Sequence, residues 1–199
     1  MIVEFTIGGD RQAILVNVRP ASFSVSIDTA TVYTFDAAGR LLGSYKGGHN
    51  YLRGQDNRIL EKWGAGHGLA NRSRRDLDEQ EKATFLGEMK TVIGEIEQAV
   101  RLGRIRLKTA RTSPTDLDQV ARALGSVQGY DELHAHGRRF HDIYKPISIL
   151  PPDQYLALVL QATEGCSWNK CTFCNFYRDR PFRIKRAEEF RRHIRAVLD

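Results

Sequence analysis

Residues 31–45 read Thr-Val-Tyr-Thr-Phe-Asp-Ala-Ala-Gly-Arg-Leu-Leu-Gly-Ser-Tyr. Two runs rich in β-branched and aromatic residues, Thr31 to Phe35 and Leu41 to Tyr45, flank Asp36-Ala37-Ala38-Gly39-Arg40. Such runs favour strands. The intervening loop places Gly where a hairpin turn needs positive φ, so the stretch predicts a β-hairpin. Working outward, Ile2 to Ile7 and Gln12 to Val18 are strand-like runs separated by the turn signal Gly8-Gly9-Asp10. Phe23, Val25 and Ile27 alternate with polar residues. A small antiparallel sheet is expected, and residues 1–60 are assigned to a β-rich N-terminal module.

Residues 46–76 contain six glycines, among them Lys46-Gly47-Gly48-His49 and Gly64-Ala65-Gly66-His67-Gly68. Neither stretch fits a phosphate-binding or dinucleotide pattern. The segment reads as mostly irregular connection. A helix is predicted from about Asp78 to Leu102, with Asp78 and Glu81 as a capping box. Phe85, Met89, Val92, Ile96 and Val100 form its apolar face. A second helix starts near Ser113, a capping residue followed by Pro114 and Asp116, and ends near Gly125. A third covers about Asp131 to His141. Residues 61–150 are thus a helical region and linker, closed by Pro146, Pro151 and Pro152.

The remaining unit, residues 151–199, opens with Tyr155-Leu156-Ala157-Leu158-Val159-Leu160. A near-continuous apolar run is the pattern of a strand buried on both faces of a parallel sheet. A cysteine loop follows, then a basic segment, then a helix from about Ala187 to Leu198 with Phe190, Ile194 and Val197 as its face. Strand, loop and helix are the first half of a βαβ unit, and sites in such folds lie beyond the carboxyl ends of strands.

The chain has three cysteines in 199 residues, Cys166, Cys171 and Cys174. An odd count within one loop is not a disulfide framework. No run of 18 apolar residues exists, and Met1-Ile2-Val3-Glu4-Phe5 lacks a secretory pattern. A cytoplasmic, reducing compartment is therefore expected, where clustered thiols bind metal. Three unrelated buried thiols, a zinc site and an iron–sulfur cluster are the open readings. Zinc wants four ligands, so His193 or His141 would have to join. A four-iron cluster held by three thiolates leaves one iron open, which is where a cosubstrate enters.

Gly165-Cys-Ser-Trp-Asn-Lys-Cys-Thr-Phe-Cys-Asn175, preceded by the apolar run and Glu164 and followed by Phe176-Tyr177-Arg178 and Phe182-Arg183, resembles the radical S-adenosylmethionine (radical SAM) enzymes. The commonest spacing in that superfamily is C-x3-C-x2-C, and here the first gap has one extra residue. The resemblance implies a 4Fe-4S cluster on Cys166, Cys171 and Cys174, with S-adenosylmethionine chelating the open iron. It implies reductive cleavage to methionine and a 5′-deoxyadenosyl radical, driven by a reductant of the flavodoxin or ferredoxin type. Phe173 matches a position that packs near the adenine, and equally suits a loop anchor in the core. The fold class expected is α+β passing into α/β: an antiparallel module, a helical middle, and the opening strand–loop–helix of a partial (β/α) barrel. Only 33 residues follow Cys166, whereas one βαβ unit takes roughly 30 or more. The chain is thus expected to be truncated relative to a whole barrel and nearly inactive in isolation.

Residues 1–100 carry 12 Lys+Arg against 13 Asp+Glu, and residues 101–199 carry 18 against 11. The basic residues concentrate between 175 and 195, interleaved with Phe176, Tyr177 and Phe182. This pattern is read first as a solvated face; together with the thiols it also suits a zinc- or nucleic-acid-binding module, the alternative function. His134 and His136 are two apart on a helix and do not share a face. They, His49 and His67 read as structural or surface residues. Trp168 and Asn169 are expected to shape the cysteine loop, and Glu164 to hydrogen-bond its amides.

Overall fold

The computed structural model describes residues 1–9, 12–28, 30–64, 72–108, 112–147, 153 and 157–198. The chain divides into two compact units, Met1–His136 and Gly137–Asp199.

The first unit is built on β1 (Ile2–Ile7), β2 (Ile14–Val18), β3 (Ser22–Ile27), β4 (Thr31–Asp36), β5 (Leu41–Lys46), β6 (His49–Arg53), β7 (Ile59–Gly64), β8 (Arg72–Asp76) and β9 (Ile105–Leu107). They form one nine-stranded sheet in the order β8-β7-β6-β5-β4-β3-β2-β1-β9. Each strand hydrogen-bonds antiparallel to the next, and β9 adds to the free side of β1. The hairpin at 36–40 is present, with Gly39 at φ +78°. Helix α1 (Glu79–Arg101) connects the two edges. Its 23 residues span about 34 Å, and eight inter-strand spacings make about 38 Å. The helix covers most of that width, and the flanking residues Leu77, Asp78 and Leu102 to Arg104 complete the passage from the β8 edge to the β9 edge.

The expectation of irregular structure over 46–76 is wrong. Gly47 and Gly48 both hold positive φ and form a two-residue turn between the paired Lys46 and His49. That geometry suits the right-handed twist of a hairpin. The strand signal was hidden because the core-facing row turns polar here: Ser44 and Glu61 are buried, with His49 beside Glu61. The expected β-rich module of residues 1–60 thus extends to Asp76 and takes up Ile105–Leu107. Residues 65–68, with His67, lie outside the described residues.

One face of the sheet forms the core, from Val3, Phe5, Val16, Val25, Phe35, Leu41 and Ile59. Onto it α1 lays Leu86, Met89, Ile93, Ile96 and Val100. Helix α2 (Pro114–Gly125) adds Val120 and Leu124, and α3 (Tyr130–Ile143) adds Leu133. The predicted boundaries of α2 hold, including a Ser113–Asp116 capping box.

The second unit contains the end of α3, a two-stranded antiparallel ribbon of β10 (Thr163–Glu164) and β11 (Arg183–Ile184), and α4 (Ala187–Leu198). The helix matches its predicted span. The buried strand predicted from Tyr155 onward is not seen: residues 157–160 form none, and Leu158 and Leu160 are exposed. Tyr155, Leu156, Pro151 and Pro152 lie outside the described residues. A parallel strand needs neighbouring strands and covering helices, and the described residues of this unit offer only the antiparallel ribbon. Its buried side chains, Gln161 and His193, are polar. No helix among the described residues is long and apolar enough to cross a membrane.

Candidate functional site

The cysteines occupy the loop between β10 and β11. The ribbon pairs Thr163 with Ile184 and Glu164 with Arg183, so residues 165–182 leave and return at one point. Gly165 opens the loop at φ +77°, and a Cβ there would lie 2.7 Å from the Pro181 carbonyl oxygen. Only glycine combines that conformation with that approach.

Glu164 bonds no loop amide, contrary to the sequence expectation. Its carboxylate accepts from the Arg183 guanidinium at 2.8 and 3.2 Å and lies 3.5 Å from Lys185 Nζ. Arg183 also donates to Glu189 at 3.0 Å. Burial alone would raise the Glu164 pKa, but Arg183 and Lys185 outweigh it and the carboxyl is held below its ordinary range. The loop is thus clamped at its base by ion pairs.

Inside the loop, Asn169 sits at φ +43°. Its backbone N–H donates to Cys166 Sγ at 3.5 Å, and its side-chain amide donates to the Tyr177 carbonyl at 3.0 Å. Arg178 donates to the Cys171 carbonyl at 2.8 Å. Arg180 lies over the Tyr177 ring at 5.6 Å. The backbone amides of Asn169 and Trp168 lower the Cys166 pKa, because they bond the thiolate better than the thiol. Asn169 therefore shapes the loop as expected.

All three thiols are free and half-buried. Among the described residues, no three His, Cys, Asp or Glu side chains are gathered for a metal ion. The donor chemistry nonetheless fits an iron–sulfur cluster: three accessible thiols on one clamped loop, one already accepting amide hydrogen bonds of the kind that tune cluster sulfurs. A fourth protein ligand at His193 is spoken for. Its Nε2 accepts from the Gln161 amide at 2.9 Å, and its other nitrogen bonds the Ile143 carbonyl. His141 is exposed, edge-on to Phe140. Phe173 is 89% exposed, so it is no core anchor.

Sequence reasoning missed a second cluster, in the first unit. Glu61, 6% exposed, lies opposite Tyr51 on one side and Arg75 on the other. Its carboxylate meets His49 Nδ1 at 2.8 Å, Tyr51 Oη at 3.1 Å and Arg75 Nε at 2.8 Å. Burial would raise the Glu61 pKa, but the bonds from Tyr51 and His49 and the charge of Arg75 bring it below the ordinary value. Arg75 also chelates Glu81 of α1. The signal in the sequence was the register of alternate polar residues: His49, Tyr51, Glu61 and Arg75 share one face only once the strands are paired.

His134 stacks on Tyr130, and His136 lies between Arg40 and Arg53, so the two share no site. Against known proteins, no family model, curated protein or solved structure matches this chain.

Proposed function

We propose that the chain is an iron–sulfur protein of the radical SAM type, with Cys166, Cys171 and Cys174 as the protein ligands of a 4Fe-4S cluster. The observation that carries this reading is the thiol count: every cysteine lies within nine residues of one loop. Three thiolates on four irons leave one iron for S-adenosylmethionine. When bound, the cluster supplies the electron for reductive cleavage of that cosubstrate, drawn from a flavodoxin- or ferredoxin-type donor in the cytoplasm.

The chain's own residues prepare the site. Gly165 and the Glu164–Arg183 pair close the loop, and the amides of Trp168 and Asn169 favour the Cys166 thiolate that a metal requires. Phe173, exposed close in sequence to the last thiol, is the residue we assign to adenine. We read the loop and α4 as the opening of a partial (β/α) barrel.

Anaerobic reconstitution with iron and sulfide tests the reading. About four irons per chain with a visible thiolate-to-iron band is expected, both lost in Cys171→Ala. Stoichiometric zinc uptake with no iron would instead assign the thiols to a zinc module.

A further inference from the structure

The Glu61 cluster opens on a cleft of about 520 Å³ in the first unit, lined by Lys46, His49, Tyr51, Arg75, Phe85 and Glu88 among others. That volume is in the range of small-molecule sites. Most charged groups in the cleft have a partner. Lys46 pairs with Glu88 at 2.9 Å, and Arg75 pairs with both Glu61 and Glu81. Tyr51 donates to Glu61.

His49 is paired through one ring nitrogen, its Nδ1 lying 2.8 Å from Glu61 Oε1. Glu61 is held as a carboxylate by Tyr51 and Arg75, so it accepts the proton of Nδ1 when the imidazole is neutral. That fixes the tautomer and leaves a lone pair on Nε2, on the ring edge turned away from buried Glu61. The imidazole side chain is 38% exposed. Its faces are held by Trp63, stacked at 5.6 Å, and Tyr51 at 6.3 Å. Tyr51 in turn packs on Phe85 at 4.6 Å. The result is an oriented acceptor beside aromatic walls. Lys46 and Arg75 are outnumbered by the carboxylates of Glu61, Glu81 and Glu88.

We propose that this cleft is a second ligand site, separate from the cysteine loop. It takes a planar aromatic molecule, neutral or cationic, whose N–H donates to His49 Nε2 and whose ring lies against Tyr51 and Phe85. An anionic ligand is disfavoured by the excess of carboxylates. The inference is independent of whether the thiols hold iron.

Benzimidazole and benzoate, of similar size and opposite preference, serve as probes on the full chain at pH 7.5. Side-chain ¹⁵N spectra of the histidines report the site directly. Benzimidazole should move the His49 Nε2 resonance saturably, and benzoate should bind at least tenfold more weakly. His49→Phe keeps the stack on Trp63 and removes the acceptor, which should weaken benzimidazole about fivefold to tenfold. Phe85→Leu, which narrows the wall without touching the charge network, should weaken it as well. Unmoved His49 resonances in the wild-type chain, or equal binding of benzoate, would overturn the proposal without any variant. Undiminished binding by a folded His49→Phe would do so too.

Discussion

Two histidines are packed so that the neutral imidazole is favoured. His193, 6% exposed, accepts a backbone amide at Nε2 and is crossed edge-on by Tyr144 at 5.1 Å. Burial lowers its pKa, and Lys185 adds to the effect against the opposing pull of Glu164 and the Ile143 carbonyl. His136 has Arg40 Nη1 at 2.8 Å from Nε2 and Arg53 Nη2 at 3.2 Å from Nδ1. Burial, then Arg40 and Arg53, lowers its pKa in spite of Asp36 and the Gln55 carbonyl. Arg53 is itself pushed down to about 10 by burial and by Arg40. Both imidazoles thus have folded pKa values below the unfolded value of about 6.5. As pH falls through about 6.5, the unfolded chain takes up protons that the folded chain refuses, so stability is lost downward from there. The urea midpoint should drop between pH 7.5 and pH 5.5, above the range where the carboxylates titrate. The drop should shrink in His136→Gln. A midpoint flat over that interval would show that neither imidazole is held neutral. Nothing local in the sequence marks either residue. By contrast, the need for glycine at position 39 was visible from the hairpin alone, because turn chemistry is local. Its approach to Ser126, whose carbonyl oxygen a Cβ would strike, was not.

Helix α1 shows what periodicity reveals and where it slips. The capping box is formed as read: Glu81 N–H donates to Asp78 Oδ1 at 2.8 Å, and Asp78 N–H donates to Glu81 Oε2 at 2.9 Å. Asp78→Ala should cost about 1 kcal/mol. Of the predicted stripe, Met89, Ile96 and Val100 are buried, but Phe85 and Val92 are only partly so. The stripe's centre runs through Leu86 and Ile93 instead. A long helix crossing a wide sheet needs an apolar band broader than one line of contacts, so its midline cannot be fixed without the sheet's curvature. Met89, fully buried at the centre, should cost about 2–5 kcal/mol when changed to Ala, several times the loss from the cap. Urea titration of both variants ranks them, and a Met89→Ala loss no larger than that of Asp78→Ala would contradict the packing. The strands show the same division. β1 to β5 were legible because apolar residues alternate, whereas β6 to β8 carry His49, Glu61 and Arg75 on the face that pairing turns inward. The two edges are guarded differently: β8 reads Arg-Ser-Arg-Arg-Asp, and β9 has three residues. Charge and shortness both discourage further strand addition.

At the scale of the molecule, the two units differ in what holds them. The apolar core of the first unit runs from Val3 to Leu133. The second has no buried apolar side chain among its described residues, while Trp168, Phe173, Phe176, Ile184 and Leu198 are more than half exposed. Its order rests on polar links: Gln161 bridging Lys145, His193 and Lys185, and Glu164 paired with Arg183. Exposed ion pairs contribute little, and local stability follows buried apolar contact. Amide exchange on the full chain should therefore fall into two classes. Amides of β2 to β5 and α1 should exchange at the rate of global unfolding, and those of residues 160–195 orders of magnitude faster. A metal held by loop thiols contributes its binding free energy to folding. Loading with iron and sulfide should then slow exchange between Glu164 and Arg183 and leave the sheet unchanged. If residues 160–195 were as protected as the sheet before loading, the polar links would suffice alone, and the loop would not depend on a cluster for its order.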